Sequence, residues 1–172
     1  MTVMPTHATR SNVMLGTGLP VAGIVLLADQ LSKLAILRHF QDPAVTDRIL
    51  EVAPVLNLVL LGNRGVSFGM FNGGGALSTW LLSALAIGIV AVLLVWLARA
   101  RSVWLALAMG LIIGGAIGNL VDRLRLGSVV DFLDFHWGAL HFYVFNVADA
   151  SICVGVGLLL LDSLLGRAES PK

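Results

Sequence analysis

The chain has one cysteine in 172 residues, Cys153, which excludes an internal disulfide and any cysteine-based zinc cluster. It lies inside the apolar run Ile152-Cys153-Val154 and reads as a small packing residue. Charge is equally scarce. Only 12% of residues are Asp, Glu, Lys or Arg, against 58% hydrophobic, and mean hydropathy is +0.92, which excludes a water-soluble domain. The net charge of +1 leaves no basic field for a nucleic acid. Several hydrolytic motifs are missing too. No His-Glu-x-x-His is present, and His7, His39, His136 and His141 have no ligand spacing, so no metal is expected. There is no Gly-x-Ser-x-Gly elbow and no phosphate-binding glycine loop. Ser32 and Lys33 are adjacent on an expected helix and point apart, a poor Ser–Lys dyad.

What remains is membrane-like. Four apolar stretches reach the ~20 residues that a bilayer requires, at approximately 15–37, 77–98, 103–121 and 144–165. The first carries Asp29 and Lys33 and has no small-x-small exit site, so it reads as a retained helix and not a cleaved leader. Trp80, Trp96 and Trp104 fall near span ends, where an aromatic belt belongs. Four spans put both termini on one side, with loops 38–76 and 122–143 on the other, in a single domain over 1–172. Arginine and lysine do not set the orientation: Arg10, Arg99, Arg101, Arg167 and Lys172 face Lys33, Arg38, Arg48, Arg64, Arg123 and Arg125. The acids gather on the loop side: Asp29, Asp42, Asp47, Glu51, Asp122, Asp131, Asp134 and Asp149.

The two loops carry strand-like runs around 49–61 and 128–145, broken by Pro54 and by an expected turn at His136-Trp137-Gly138-Ala139. The expected fold is a mainly α membrane protein: four transmembrane helices with a small sheet or hairpin set lying on the membrane face. Asn63 and Gly65 supply turn chemistry, and Gly73-Gly74-Gly75 reads as a flexible joint. Gly110, Gly114 and Gly118 recur every fourth residue, a face that another helix can approach closely, and Asp122 continues that ridge. The neighbouring ridge runs Gly115, Asn119, Arg123.

Chemistry concentrates in a few polar residues at one membrane level. Asp131 and Asp149 flank the start of the fourth span, where carboxylates are costly and mark functional sites. Asn146, three residues before Asp149, shares its helix face or caps the helix. Taken singly, Asp131 reads as a solvated loop acid and Asp149 as an acid favoured by the helix dipole. Two carboxylates, Asn119, Asn146 and Arg123 converging together are harder to dismiss. The Asp29–Lys33 pair, an acid four residues before a base, reads as structural. Asp162 lies 13 residues beyond Asp149, about 20 Å along a helix and away from the site. A proton- or ion-coupled transporter is the competing class, though the polar groups do not form a chain across the membrane. A non-catalytic assembly factor would explain the glycine face but not the paired acids.

These residues resemble one family, the bacterial lipoprotein signal peptidases (signal peptidase II). Five stretches carry the likeness: Asp29-Gln30-Leu31-Ser32-Lys33, Asn63-Arg64-Gly65-Val66-Ser67-Phe68, Gly118-Asn119-Leu120-Val121-Asp122-Arg123, Val129-Val130-Asp131-Phe132 and Phe145-Asn146-Val147-Ala148-Asp149. The second departs from the Asn-Thr-Gly-Ala-Ala-Phe of many members, a change expected to bear on substrate contacts. The resemblance implies an aspartic endopeptidase with Asp131 and Asp149 as catalytic dyad. It further implies that Asn63, Gly65, Asn119, Arg123 and Asn146 bind substrate, and that Asp29, Lys33 and Asp122 support the site. The implied substrates are prolipoproteins bearing a diacylglyceryl cysteine, cut just before that residue. The implied setting is the cytoplasmic (inner) membrane of bacteria, in contact with lipid, with termini inside, the site outside, no cofactor and a monomeric state.

Overall fold

The computed structural model describes residues 7–65 and 75–168. Its elements run α1 His7–Gln41, β1 Ile49–Ala53, β2 Leu56–Asn63, α2 Gly75–Ala98, α3 Val103–Leu126, β3 Val129–Trp137, β4 Leu140–His141 and α4 Val147–Ala168. Gly73 and Gly74 of the expected joint, and Val66, Ser67 and Phe68 of the second motif, lie outside the described residues.

Four helices are long and apolar enough to cross a membrane, within Ser11–Gln41, Leu77–Ala98, Val103–Leu126 and Val147–Leu165. Two run past the expected ends. α1 continues to Gln41 and α3 to Leu126, five residues beyond 121. Charge at Arg38 and at Asp122-Arg123 marks where a helix leaves lipid, not where its backbone stops. So Asp122 and Arg123, expected at the start of a loop, sit on the last turns of α3. The fourth helix starts at Val147 instead of 144, because Asn146 caps it: the Asp149 N–H donates to Asn146 Oδ1 at 2.9 Å.

α3 is the central helix. Within the spans, 61% of α3 is buried against other elements, compared with 22% or less for each of the others. Its small residues make this possible. A Cβ on Gly114 would lie 2.6 Å from Ala22 O and 2.8 Å from Val25 Cβ, while Gly110 meets the Gly18 carbonyl, so α1 packs backbone to backbone on this ridge. The adjacent ridge receives α4: a Cβ on Gly115 would lie 2.5 Å from Ala148 O. Gly155 of α4 answers it, 2.7 Å from Ala108 O by the same construction. Aliphatic side chains on the outer faces, such as Ile24, Leu27, Val92 and Leu164, are exposed, as lipid-facing residues should be.

Gly114→Leu is therefore expected to separate α1 from α3 and sharply lower the yield of monodisperse protein in detergent, read by size-exclusion chromatography. Gly88→Leu is the control, since its Cβ would meet nothing within 4 Å. Equal yields from both would show that the Gly110–Gly118 ridge is not a helix contact.

The strands form a sheet in the order β1-β2-β3-β4, with every pair antiparallel. Pro54 and Val55 turn β1 into β2. The β3–β4 turn is tighter than the expected 136–139. His136 and Trp137 still pair with His141 and Leu140, and Gly138 takes a left-handed φ of 59° at the tip. The β2–β3 ladder slips between Leu58 and Leu61, so Leu61 lies opposite Asp131 and Asn63 opposite Val129. That puts Asn63 diagonal to Asp131 on one face of the sheet.

Candidate active site

The site forms where α3 hands over to β3 and α4 begins. Gly127 ends α3 in the left-handed conformation (φ 73°), and its N–H returns to Arg123 O at 3.1 Å. Three residues later the Val130 N–H donates to Asp122 Oδ2 at 3.1 Å, tying the strand to the helix it has just left. The turn fixes Asp131, which is 0% exposed.

Two asparagine amides link Asp131 to Asp149. Asn146 Nδ2 donates to Asp131 Oδ1 at 2.7 Å and reaches Asn119 Oδ1 at 3.2 Å, while Asn119 Nδ2 donates to Asp149 Oδ1 at 2.7 Å. Lys33 fixes the direction of this chain. Its ammonium donates to Asn119 Oδ1 at 3.2 Å, and an ammonium has only donors, so the Asn119 amide nitrogen must turn toward Asp149. The other side of Asp131 is held by Asn63, whose Nδ2 donates to Oδ2 at 2.9 Å. Asn63 in turn is oriented by its Oδ1, which accepts the Gly65 N–H at 2.8 Å in a tight Asx turn. Gly65 has a φ of 75°, and a side chain there would run into Leu82.

Below this layer lies a buried ion cluster. Lys33 is 2% exposed and pairs with Asp29 at 2.8 Å and Asp122 at 2.7 Å. Asp29 Oδ1 also accepts the Ala148 N–H at 2.9 Å, so a residue of α1 satisfies a free donor at the start of α4. The structural reading of Asp29, Lys33 and Asp122 fits this geometry, and Lys33 is committed to acids, not to Ser32, whose hydroxyl donates to Asp29 O. Arg123 leans back on its own helix, Nη1 to Asn119 O at 3.4 Å, with Asp149 and Asp122 as its electrostatic neighbours.

All ten residues singled out in the sequence thus sit at one end of the bundle. Two partners escaped the reading. Gln30 Nε2 reaches Asp29 Oδ2 at 3.2 Å, Gly118 O at 3.2 Å and Asp122 Oδ1 at 3.0 Å, stitching α1 to α3. Its place beside Asp29 was the only signal available. Tyr143, the sole tyrosine, accepts from Asn63 Nδ2 at 2.8 Å, and nothing in the sequence joins two residues 80 positions apart. No group of three or more His, Cys, Asp or Glu among the described residues could hold a metal ion. The transporter alternative is poorly served, because Asp29, Lys33, Asp122 and Asp131 cluster at one level and do not step across the bundle.

Asp131 is the more buried carboxyl, and Asp149 is half-buried. Burial pushes the Asp131 carboxyl up from its ordinary value. The Asn63 hydrogen bond pulls it back, the charge of Asp149 pushes it further up, and the Asn146 amide opposes. This environment favours the protonated form of Asp131.

Fold and site together define a four-span membrane protein with a buried and a half-buried carboxyl linked by asparagine amides at one end of the bundle. Residues 21–165 match the family model described as Signal peptidase (SPase) II. A lipoprotein signal peptidase of Shewanella pealeana is 44% identical over 154 residues, covering 88% of each chain. One from Burkholderia thailandensis is 41% identical over 160 residues, covering 92% of this chain and 94% of its own. A solved bacterial membrane enzyme, determined by the in meso method, superposes with a TM-score of 0.74 at 29% identity, covering 92% of this chain and 93% of its own. The chain belongs to the signal peptidase II family, and it is a membrane-embedded peptidase.

Proposed function

We propose that this protein is an aspartic endopeptidase that removes the signal peptide from prolipoproteins, cutting just before a cysteine that carries a diacylglyceryl group. The observation that carries the reading is the Asp131–Asn146–Asn119–Asp149 chain, which holds two carboxyls in one electrostatic unit at the membrane face. The family match and the curated names of its relatives support the substrate class.

Ionised Asp149 takes a proton from water as the water oxygen attacks the scissile carbonyl, and Asp131 gives its proton to the carbonyl oxygen. The tetrahedral intermediate collapses when Asp131 takes that proton back and Asp149 passes its own to the leaving nitrogen, breaking the C–N bond. Asn63, Gly65, Asn119, Arg123 and Asn146 border the reacting peptide, with amides already oriented by their protein partners. A lipid-anchored cysteine suits such a site, because its acyl chains hold the scissile bond at the level of the dyad.

Purified protein incubated with diacylglyceryl-modified precursor should release the signal peptide. No release, or equal cleavage of unlipidated precursor, would overturn the reading.

The same proposal places the chain in the bacterial inner membrane as a monomer with the site facing outward. A reporter active only outside the cytoplasm should then work in the 42–47 loop or at the Gly138 turn. It should fail within 99–102 or after Arg167; the reverse pattern excludes this orientation.

If Asp131 holds the proton, activity falls as pH rises through its raised value. Asn63→Ala removes a hydrogen bond that opposes the rise. The basic limb of the kcat/KM profile is expected to move to higher pH even as activity drops. A limb that stays put, or moves down, assigns the proton elsewhere.

A further inference from the structure

A polar cavity opens at the same end of the bundle, between the start of α2 and the end of α3. Its volume is about 490 Å³, and it is lined by Arg64, Thr79, Trp80, Arg123, Leu124, Leu126 and Gly127. Thr79 Oγ1 donates to Gly127 O at 3.0 Å, which closes its floor by joining the two helices.

The lining has one sign of charge. Among the described residues, two guanidiniums contribute to it and no carboxylate does. Arg123 has Asp149 and Asp122 as compensating neighbours on the dyad side, whereas Arg64 pairs with no carboxylate among the described residues. The excess positive charge is therefore that of Arg64, presented on the exposed Asx turn that follows β2. Three apolar side chains of the wall face outward: Trp80, Leu124 and Leu126 are 64%, 55% and 50% exposed. Indole rings in membrane proteins settle at headgroup level, and guanidiniums form charge-assisted, often bidentate bonds to phosphate oxygens.

We infer that this cavity binds the phosphodiester headgroup of an anionic glycerophospholipid, with Arg64 and Arg123 as the charged walls and Trp80, Leu124 and Leu126 beside the upper acyl chains. Guanidinium offers paired donors matched to phosphate oxygens, and the volume lies within the range of small-ligand sites. A free phosphate would use the arginines but leave the indole and leucines without a role; a lipid uses both. The site lies next to the dyad without overlapping its hydrogen-bonded chain, and the inference holds whether or not the proposed peptidase chemistry does.

The test is native mass spectrometry of the full-length protein released from neutral detergent after titration with phosphatidylglycerol, phosphatidylcholine or inorganic phosphate. Wild-type protein is expected to retain one phosphatidylglycerol with roughly tenfold preference over phosphatidylcholine, the scale of one charge-assisted hydrogen bond. Arg64→Gln should abolish that preference, and Arg64→Lys should restore part of it, because charge returns without the planar fork. Arg64 is exposed, so its replacement leaves the packed bundle intact. Equal retention of both lipids by wild-type protein overturns the inference without recourse to any variant. So does an Arg64→Gln variant that keeps the preference, and so does displacement of phosphatidylglycerol by equimolar inorganic phosphate, which would make the ligand a free anion.

Discussion

Asp131→Asn and Asp149→Asn are each expected to lower turnover by roughly two to four orders of magnitude, the range that positioned acid–base groups supply. Both proteins should remain folded. Each replacement is nearly isosteric: at position 149 the amide oxygen can still accept from Asn119, and at position 131 it keeps one of the two bonds from Asn63 and Asn146, which reach different carboxylate oxygens. What the amide cannot do is exchange the proton. The double variant should be no worse than either single one, because groups acting as one unit are not additive. Asp162→Asn is the control: it lies about 20 Å along α4 from Asp149 and is expected to stay active. Near-normal turnover in either dyad variant, measured on lipid-modified precursor, removes the aspartic mechanism. Loss in Asp162→Asn as well would mean the assay reports stability.

The two variants should also differ from each other. Asp131 is fully buried between β2 and the helices, and Asp149 is half-buried on the first turn of α4. Folding with an ionised Asp131 is costly. Its raised value means that the native state binds more protons than the unfolded chain just above the ordinary carboxylate range, so stability falls as pH rises through that window. Asp131→Asn removes this pH dependence, since the amide is neutral throughout.

Much of this arrangement was legible in the sequence because lipid imposes strong rules. Apolar runs long enough to span, Gly110, Gly114 and Gly118 in one row, and carboxylates where carboxylates are costly are all local signals. The ends of elements were less legible. Asp122-Arg123 reads as an exit from the membrane, yet α3 continues because Lys33 neutralises Asp122 from another helix. His136-Trp137 reads as a turn, yet β3 runs through it, since pairing with β4 satisfies its backbone. The slip between Leu58 and Leu61 that brings Asn63 diagonal to Asp131 depends on a ladder between distant segments, and no local pattern encodes it. Gln30 and Tyr143 were hidden for the same reason: their partners are 88 to 92 and 80 residues away.

The largest effect on stability is expected from Lys33→Met. The ammonium is the only cation paired with Asp29 and Asp122 among the described residues, and all three side chains are at most 4% exposed. Methionine fills much of the same volume but leaves two buried carboxylates facing each other, and removing one partner of a buried ion pair costs about 3–5 kcal/mol. Three connections weaken together: α1 to α3 through Asp122, α1 to α4 through the Asp29 bond to Ala148, and the Asn119 amide that points at Asp149. Folded yield and melting temperature in detergent should both fall steeply, and the surviving protein should have reduced turnover because Asn119 is free to flip. Lys33→Met combined with Asp122→Asn should recover part of the loss, since one stranded charge is gone and the new amide oxygen can still accept the Val130 N–H. A double-mutant cycle reads that coupling directly, expected at about 0.5–3 kcal/mol. A single Lys33→Met variant that melts like the wild type would overturn this account. The charge of Lys33 would then be dispensable to the fold, and the ion cluster would lose the supporting role assigned to it.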